Sequence, residues 1–316
     1  MARVSILLCT KDRAEELEQT VPDLARQIEG RDDVEVWLVD NGSNDRTPDL
    51  IRELQKEFGW VRTLRVDLRG KSRALNLAMP QTEGEILVTT DDDLRFEDGW
   101  LEEMTVGIAE GRFDAAVGRI SVPPDRDRPW MSDVHRSLMA ATTHYPKAGS
   151  GDLVGASMAF HRRVLNAVPY FDPALGPTGH GFYEDTLFSH QLKRAGFRMA
   201  YCHEAVCWHH FKFDRLERST FLKRGLAQGK SEGHVRYHWF HDDPAPGLAE
   251  AELEKLGPKV EALFAAETDS DEVTDEELWM LNVYGHWSQY LAEVGQPRNY
   301  VKRGLVRRQP ELCLRD

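Results

Sequence analysis

Short apolar runs alternate with helix-length amphipathic stretches through the first 120 residues, and this alternation narrows the folds open to the chain. Val4–Thr10 is an apolar run of strand length, and Leu17, Val21, Leu24 and Ile28 then recur at helical spacing along Ala14–Gln27 and its end. Val34–Asp40 (VEVWLVD) reads as a second strand, stopped by the turn signal Asn41-Gly42-Ser43. Thr47–Phe58 reads as a helix, with Pro48 tolerated in its first turn. Val61–Val66, Lys71–Met79, Glu85–Thr90, Gly99–Glu110 and Ala115–Ile120 continue as strand, helix, strand, helix, strand. Strands separated by helices pair in parallel, so the pattern predicts an α/β chain with a doubly wound, mainly parallel sheet. In such sheets ligands sit outside the carboxyl ends of the strands. That points to the residues after Thr10, after Asp40 and after Thr90.

The second half reads differently. Pro123–Gly151 carries Pro123, Pro124, Pro129 and Pro146 and is expected to be irregular, as a mobile loop or a short helical excursion. Leu153–His161 and Met199–His209 are expected as strands, with a helix over Glu184–Ala195 between them. After Phe213 the periodicity is helical: Leu216–Tyr237, Leu248–Ala266, Glu276–Val294 and Arg298–Arg307. The expected organisation is therefore a first domain over 1–213, in two halves meeting near residue 120, and a helical C-terminal extension over 214–316.

With 316 residues and 41% hydrophobic content the chain can bury a large core. Its net charge of −13 excludes a general nucleic-acid binder, which needs a positive surface. Acidic residues crowd Glu250–Glu277, while Arg298, Lys302, Arg303, Arg307 and Arg308 make the end basic. Both read as solvated helix faces, with a homo-oligomer contact or a peripheral membrane contact through the extension as the alternatives. No stretch approaches the roughly 18 apolar residues of a transmembrane helix, and the first ten residues read as a strand, not a signal peptide. Cys9, Cys202, Cys207 and Cys313 are too scattered for a disulfide framework, which makes a reducing cytoplasm the expected location.

Asp91-Asp92-Asp93, closing an apolar strand, is the feature richest in chemistry. Packed carboxylates repel unless a cation compensates, and hard divalent ions such as Mn²⁺ or Mg²⁺ prefer carboxylate oxygens. An acidic turn leading into a helix cap is the competing account. Asp40 ends the second strand, where its carboxylate can accept the ring N–H of a pyrimidine base; a plain β–α turn fits the same residues. Gly70-Lys71-Ser72 imitates the end of a phosphate-binding P-loop, but Arg65 stands where that motif needs glycine. Lys71 and Arg73 remain candidates to face a diphosphate. Cys202, His203, Cys207, His209 and His210 lack structural-zinc spacing, and one histidine acting as a single metal ligand is the more economical reading. Glu184-Asp185 follows the glycine-rich run Gly176–Gly181, which lets the chain approach a ligand closely.

Taken together, these segments resemble glycosyltransferase family 2 on the GT-A fold. VSILLCTKDR, VEVWLVDNGSNDRT, GKSRALNLAM, EILVTTDDDLRF and LVGASMAFHRRVL, followed by FDPALGPTGHGFYEDTLFSHQLKRAGFRMAYCHEAVCWHH, appear in the family's order over about residues 3–230. The resemblance implies a nucleotide-diphosphate sugar donor, expected to be a UDP-sugar, a glycan or small-molecule acceptor, and a divalent metal, Mn²⁺ or Mg²⁺. It implies that Thr10, Arg13, Asp40, Asn41, Ser43, Lys71, Arg73, Asp91 and Asp92 line the nucleotide site. Asp93 would hold the metal with His209, Asp185 would be the general base, and Gly155, Ala156, Ser157, His180 and Glu184 would face the acceptor. The mechanism implied is inverting transfer to a hydroxyl. Lys11-Asp12 stands where the family commonly has Tyr-Asn, and Asp92 adds a third aspartate inside the DxD motif. Which carboxylate meets the metal, and whether His209 or His210 does, stay open at this point. A nucleotidyltransferase of related fold and a non-catalytic nucleotide-binding protein are the alternatives; the first would carry a glycine-rich loop after the first strand, which Thr10–Arg13 lacks.

Overall fold

The computed structural model describes residues 2–146 and 151–314. Its first half runs β1 (Val4–Thr10), α1 (Ala14–Gln27), β2 (Val34–Asp40), α2 (Thr47–Glu57), β3 (Val61–Arg65), α3 (Lys71–Ala78), β4 (Ile86–Thr90), β5 (Leu94–Phe96), α4 (Trp100–Ala109) and β6 (Ala115–Ser121). The second half adds α5 (Asp133–Leu138), β7 (Ser157–His161), α6 (Glu184–Arg194), β8 (Met199–His209), α7 (Arg218–Val235), α8 (Leu248–Ala265) and α9 (Asp275–Glu293).

The strands form one sheet in the order β3-β2-β1-β4-β7-β6-β8-β5. β1 pairs in parallel with β2 and with β4, and β2 with β3, so the chain moves outward from β1 and then returns to its other side. Strand order reverses there, which leaves a crevice at the carboxyl ends of β1 and β4. β4–β7 and β6–β7 are antiparallel, while β6 and β8 are parallel. Central strands are buried on both faces, as their near-continuous apolar sequence requires. Ile6, Leu8, Val36, Leu38 and Val88 meet Leu17, Leu24, Trp100 and Met104 on one side. Leu7, Val39, Leu87, Val117 and Phe160 meet Leu75, Phe188 and Leu192 on the other.

Three differences from the sequence reading have physical causes. β5 has only three residues, too short to show a period, yet it pairs antiparallel with the end of β8, Leu94 opposite His209. β7 begins at Ser157 and not at Leu153, because the residues before it bend toward α6: Leu153 N–H donates to Ser189 Oγ (2.8 Å) and Gly155 N–H to Asp185 Oδ2 (2.8 Å). Of the two readings of the proline-rich stretch, the short helical excursion is present as α5, capped by Ser132; residues 147–150 of that stretch lie outside the described residues. Arg298–Arg307 forms no helix. Its backbone is committed to other partners: Arg303 N–H donates to the Trp239 carbonyl (2.7 Å), and the Gly304 carbonyl accepts from Trp239 Nε1 (2.8 Å). The basic side chains there are not a uniformly solvated face either, since Arg298 lies 3.6 Å from the Tyr237 ring centroid.

The C-terminal helices dock through glycine. Gly225, Gly229 and Gly233 recur at four-residue spacing, hence on one face of α7. A Cβ on Gly229 would collide with the Asn282 carbonyl oxygen, one on Gly233 with that of His286, and one on Gly285 of α9 with that of Leu226. The two helices therefore approach backbone to backbone. Gly229→Ala is expected to destabilise the chain by about 1–3 kcal/mol through overpacking, although alanine gains about 1 kcal/mol of helix propensity. Gly257→Ala in α8, whose added Cβ meets only the Tyr284 ring at 3.9 Å, is expected to be neutral or stabilising. Urea unfolding of both variants checks the seam, and equal responses would contradict it.

Candidate functional site

The three aspartates after β4 diverge because the chain turns at Asp92-Asp93 between β4 and β5, which sends each side chain in a different direction. Asp91 ion-pairs with Lys71, the first residue of α3. Asp92 turns under β1, where Thr10 Oγ1 donates to its Oδ2 (2.7 Å) and Arg13 Nη1 lies 3.6 Å from its Oδ1. Asp93 faces β8: its Oδ1 is 3.2 Å from His209 Nε2, and Arg13 Nη1 donates to its Oδ2 (3.0 Å). The β5–β8 pairing makes this meeting unavoidable. It sets His209 beside the strand that leaves Asp93, and His210 N–H donates to the Asp93 carbonyl (2.7 Å). The His209 side chain thus faces Asp93, while the contact from His210 is a backbone one.

The His209 ring is oriented from behind. Its Nδ1 donates to the Met139 carbonyl (2.7 Å), and because a carbonyl only accepts, Nδ1 carries the proton. Nε2 is buried with no hydrogen-bond partner and faces a carboxylate oxygen. An imidazole with a backbone-anchored Nδ1–H and a free Nε2, next to a carboxylate, is the donor set that suits a divalent cation. The residues present fit such an ion. Electrostatics separate the aspartates. Burial pushes Asp93 up, but Arg215 and Arg13, together with His209 when its ring is protonated, outweigh it and hold the carboxyl well below the ordinary range. Asp92 goes the other way, to about 7, through burial and the neighbouring Asp93.

A cavity of about 590 Å³ opens beside these groups, lined by Lys71, Asp91 and His209 and by Gly155, Ala156, Glu184 and Asp185. Glu184 and Asp185 open α6 directly after Tyr183, which adopts φ 77°. Left-handed backbone is costly for a bulky residue and tends to persist where function requires it. Asp185 is locked: Oδ2 accepts from Gly155 N–H (2.8 Å) and Oδ1 from Thr186 N–H (2.7 Å). Burial nevertheless raises its pKa, and burial together with Asp185 pushes Glu184 up to about 8. Burial opposes the charge on Lys71, but Asp91 and Glu184 outweigh it and keep the ammonium above its ordinary range.

The other expected site residues are placed as follows. Asp40 sits at the end of β2, its Oδ1 accepting from Ser43 N–H (2.8 Å) and its Oδ2 from Arg65 Nη1 (2.7 Å). Ser43 Oγ accepts from Asp12 N–H (2.9 Å), tying the first two loops together. Asn41 braces the next loop: its Nδ2 donates to the carbonyls of Val66 and Leu68 and its Oδ1 accepts from Gly70 N–H. Arg73 donates to the Arg69 carbonyl (3.2 Å). Ser157 lies behind the cavity, fully buried, and accepts from Trp100 Nε1 (3.0 Å). Sequence reasoning missed Arg65, Arg215 and Arg224. Arg65 ends β3 beside Asp40, so the strand-end rule could have found it; the two later arginines lie in the helical tail, which carries no local signal for them.

Comparison with known proteins identifies the family and the fold. The model of glycosyl transferase family 2 matches residues 5–168. The chain belongs to that family. Among relatives of this family 2 glycosyltransferase, a beta-monoglucosyldiacylglycerol synthase of Trichormus variabilis is 26% identical over 171 residues, 52% of this chain and 36% of the relative. Glycosyltransferase AglD of Haloferax volcanii is 30% identical over 204 residues, 62% of this chain and 32% of the relative. The chain thus spans about a third of the length of these curated relatives. The fold is shared with the mannosyltransferase PcManGT of Pyrobaculum calidifontis in complex with GDP-Man and Mn²⁺ (TM-score 0.60, 20% identity, 94% of this chain and 76% of that one). It is shared also with S. aureus TarS 1–349 in complex with UDP (TM-score 0.51, 13% identity, 95% and 93%).

His180 turns away from the family 2 enzyme's cavity into a buried cluster that fastens α7 and α9 to the glycine-rich loop. His234 Nδ1 bonds Glu293 Oε1 (2.6 Å), and its Nε2 lies 3.9 Å from Asp172 Oδ2. His180 and His238 approach the same Glu293 oxygen at 3.7 and 3.5 Å, and Tyr300 and Arg307 face Asp172. Burial pushes His234 down, but Asp172 and Glu293 outweigh it and raise its pKa to about 9, whereas burial lowers His180 to about 4 and also lowers His238. A raised folded-state pKa contributes stability that is complete below the unfolded value of roughly 6.5 and is lost as pH rises through about 9. The Tm difference between wild type and His234→Gln is therefore expected to be largest near pH 6 and to shrink by pH 10. A difference independent of pH over that interval would remove the charge from the account.

Proposed function

We propose that the chain is an inverting, metal-dependent glycosyltransferase that moves a sugar from a nucleotide-diphosphate donor, expected to be a UDP-sugar, to an acceptor hydroxyl. One observation carries the reading: a single cavity is lined by Asp91, by His209 with Asp93 against it, and by the Glu184–Asp185 pair. GDP-Man with Mn²⁺ in PcManGT and UDP in TarS support the donor class.

Asp93 and His209 would hold Mn²⁺ or Mg²⁺, which supplies positive charge opposite the departing diphosphate. Lys71 and Arg215 stand at the same edge and add fixed charge that needs no reorganisation. Asp40 is assigned to the base, which requires Arg65 to yield one oxygen of that carboxylate. Asp185, with both oxygens held by backbone N–H groups, is aimed as general base at the attacking hydroxyl. Burial raises its pKa, beside a raised Glu184, and so makes it a better proton acceptor than an ordinary aspartate. Gly155 and Ala156 leave room for the acceptor next to it. Residues 1–213 are proposed to carry donor binding and the base, and 214–316 to complete the acceptor wall. We place the reaction in the cytoplasm, whose reducing conditions suit four unpaired cysteines; no described helix is long and apolar enough to cross a membrane.

Chelating divalent ions is expected to weaken nucleotide-diphosphate binding sharply, and Asp93→Ala to do the same. Calorimetry with UDP and GDP decides this, and affinity unchanged by chelator would overturn the metal assignment. Asp185→Asn should leave nucleotide affinity intact while lowering transfer by about 10²–10⁴-fold. Glu184→Gln is expected to act mainly on KM. Wild-type transfer should rise with pH as the raised carboxyl pair deprotonates, and this limb should vanish in Asp185→Asn. More than about a tenth of the wild-type rate remaining in that variant would place the base elsewhere.

A further inference from the structure

We infer that the acceptor side of the cavity is built for a phosphate ester, held by Arg224 and Lys223 of α7; the inference rests on the glycosyltransferase reading above. Thr220, Lys223, Arg224, Ala227 and Gln228 line the cavity from α7, a 3-4-7-8 spacing that presents one helical face. The other cations around the cavity are matched by carboxylates. Lys71 pairs with Asp91, Arg215 stands 3.9 Å from Asp93, and the cavity's Asp152 is taken by Lys193 at 2.7 Å. Among the described residues no carboxylate forms an ion pair with Lys223 or Arg224.

Arg224 is the more informative of the two. Its guanidinium donates to the Leu138 carbonyl and stacks 4.9 Å from the Phe182 ring centroid, and its Nε is buried with no partner. Burial and the charge of Arg215 lower its pKa to about 9, a consequence of enclosing a cation without an anion. Such a cation is expensive to keep in a protein of net charge −13 that has spare carboxylates. An anionic ligand supplies the missing partner, and the planar guanidinium fork matches a phosphate better than a neutral hydroxyl.

The position favours the acceptor over the donor. Phe182 stands two residues before Glu184, so Arg224 is stacked against the segment that delivers the base. Gly181, in the same segment, packs against Ala227 of α7, where an added Cβ would lie 2.8 Å from that side chain. The donor's charge has its own matched set in Lys71, Arg215 and the Asp93–His209 edge. A phosphate on Arg224 would set a neighbouring hydroxyl of the same molecule near Asp185.

The test is calorimetric titration of the chain, loaded with Mn²⁺ and whichever of UDP or GDP binds, with glycerol 3-phosphate and with glycerol. A third arm, short-chain phosphatidylglycerol, separates a lipid-borne phosphate ester from a soluble one; binding by either supports the inference. Glycerol 3-phosphate is expected to bind at least about tenfold more tightly than glycerol, as a charge-assisted bidentate contact implies. Arg224→Gln should erase that preference, and Lys223→Gln, at an exposed position that does not threaten folding, should reduce it. Nucleotide affinity should stay within about twofold in Lys223→Gln, whose exposed side chain has no ion pair with the donor-edge residues among the described residues. The inference is overturned if glycerol 3-phosphate and glycerol bind alike, if both variants keep the preference, or if glycerol 3-phosphate displaces the nucleotide. The same titration without nucleotide reads Arg224 by itself, so failure of nucleotide to bind would count against the donor reading alone.

Discussion

Three consecutive carboxylates cannot be buried at the end of one strand unless each finds a different source of positive charge or hydrogen bonds. Asp91, Asp92 and Asp93 meet this by diverging to Lys71 on α3, to Thr10 and Arg13 after β1, and to His209 on β8. These partners come from positions far apart in the chain, so the aspartates can be accommodated only when the whole carboxyl edge of the sheet has formed. The short antiparallel pairing of β5 with β8, the Met139 carbonyl behind His209 and the brace from Asn41 to Gly70 all serve that assembly.

Carboxylates of the same type then acquire different properties from their surroundings. Asp93, facing His209 and two arginines, is held ionised, while Asp92, one residue away, is pushed up to about 7. Glu184 and Asp185 share a buried helix start and are both raised. Separating the pKa values of neighbouring acids is how a site divides the tasks of holding charge and moving protons. Here the separation of the pKa values follows from which strand or helix each carboxylate faces.

The helical tail belongs to the site. α7 supplies a cavity wall, and α9 supports α7 through a glycine seam that allows backbone contact. The buried His234–Glu293–Asp172 cluster links both helices to the loops leading into α6, and Tyr300 and Arg307 from the end of the chain close over Asp172. An acidic protein overall thus presents cations at the cavity, where local fields, not net charge, govern ligand choice.

The alternation of strand and helix, the strand ends at Thr10, Asp40 and Thr90 and the helical character of the tail were legible in the sequence, because hydrophobic periodicity is a local property of the chain. The acidic edge was legible too, since the three aspartates are adjacent in sequence. Only the tertiary structure shows that the side chain facing Asp93 is that of His209 and not of His210, because this depends on the β5–β8 register, and a three-residue strand has no readable period. Only tertiary structure sent His180 to α7 and α9 instead of the cavity, kept Arg298–Arg307 out of a helix by binding its backbone to Trp239, and brought Arg215 and Arg224 to the site. Each of these outcomes rests on a contact between residues distant in the chain, and no local pattern of side chains encodes a partner that far away.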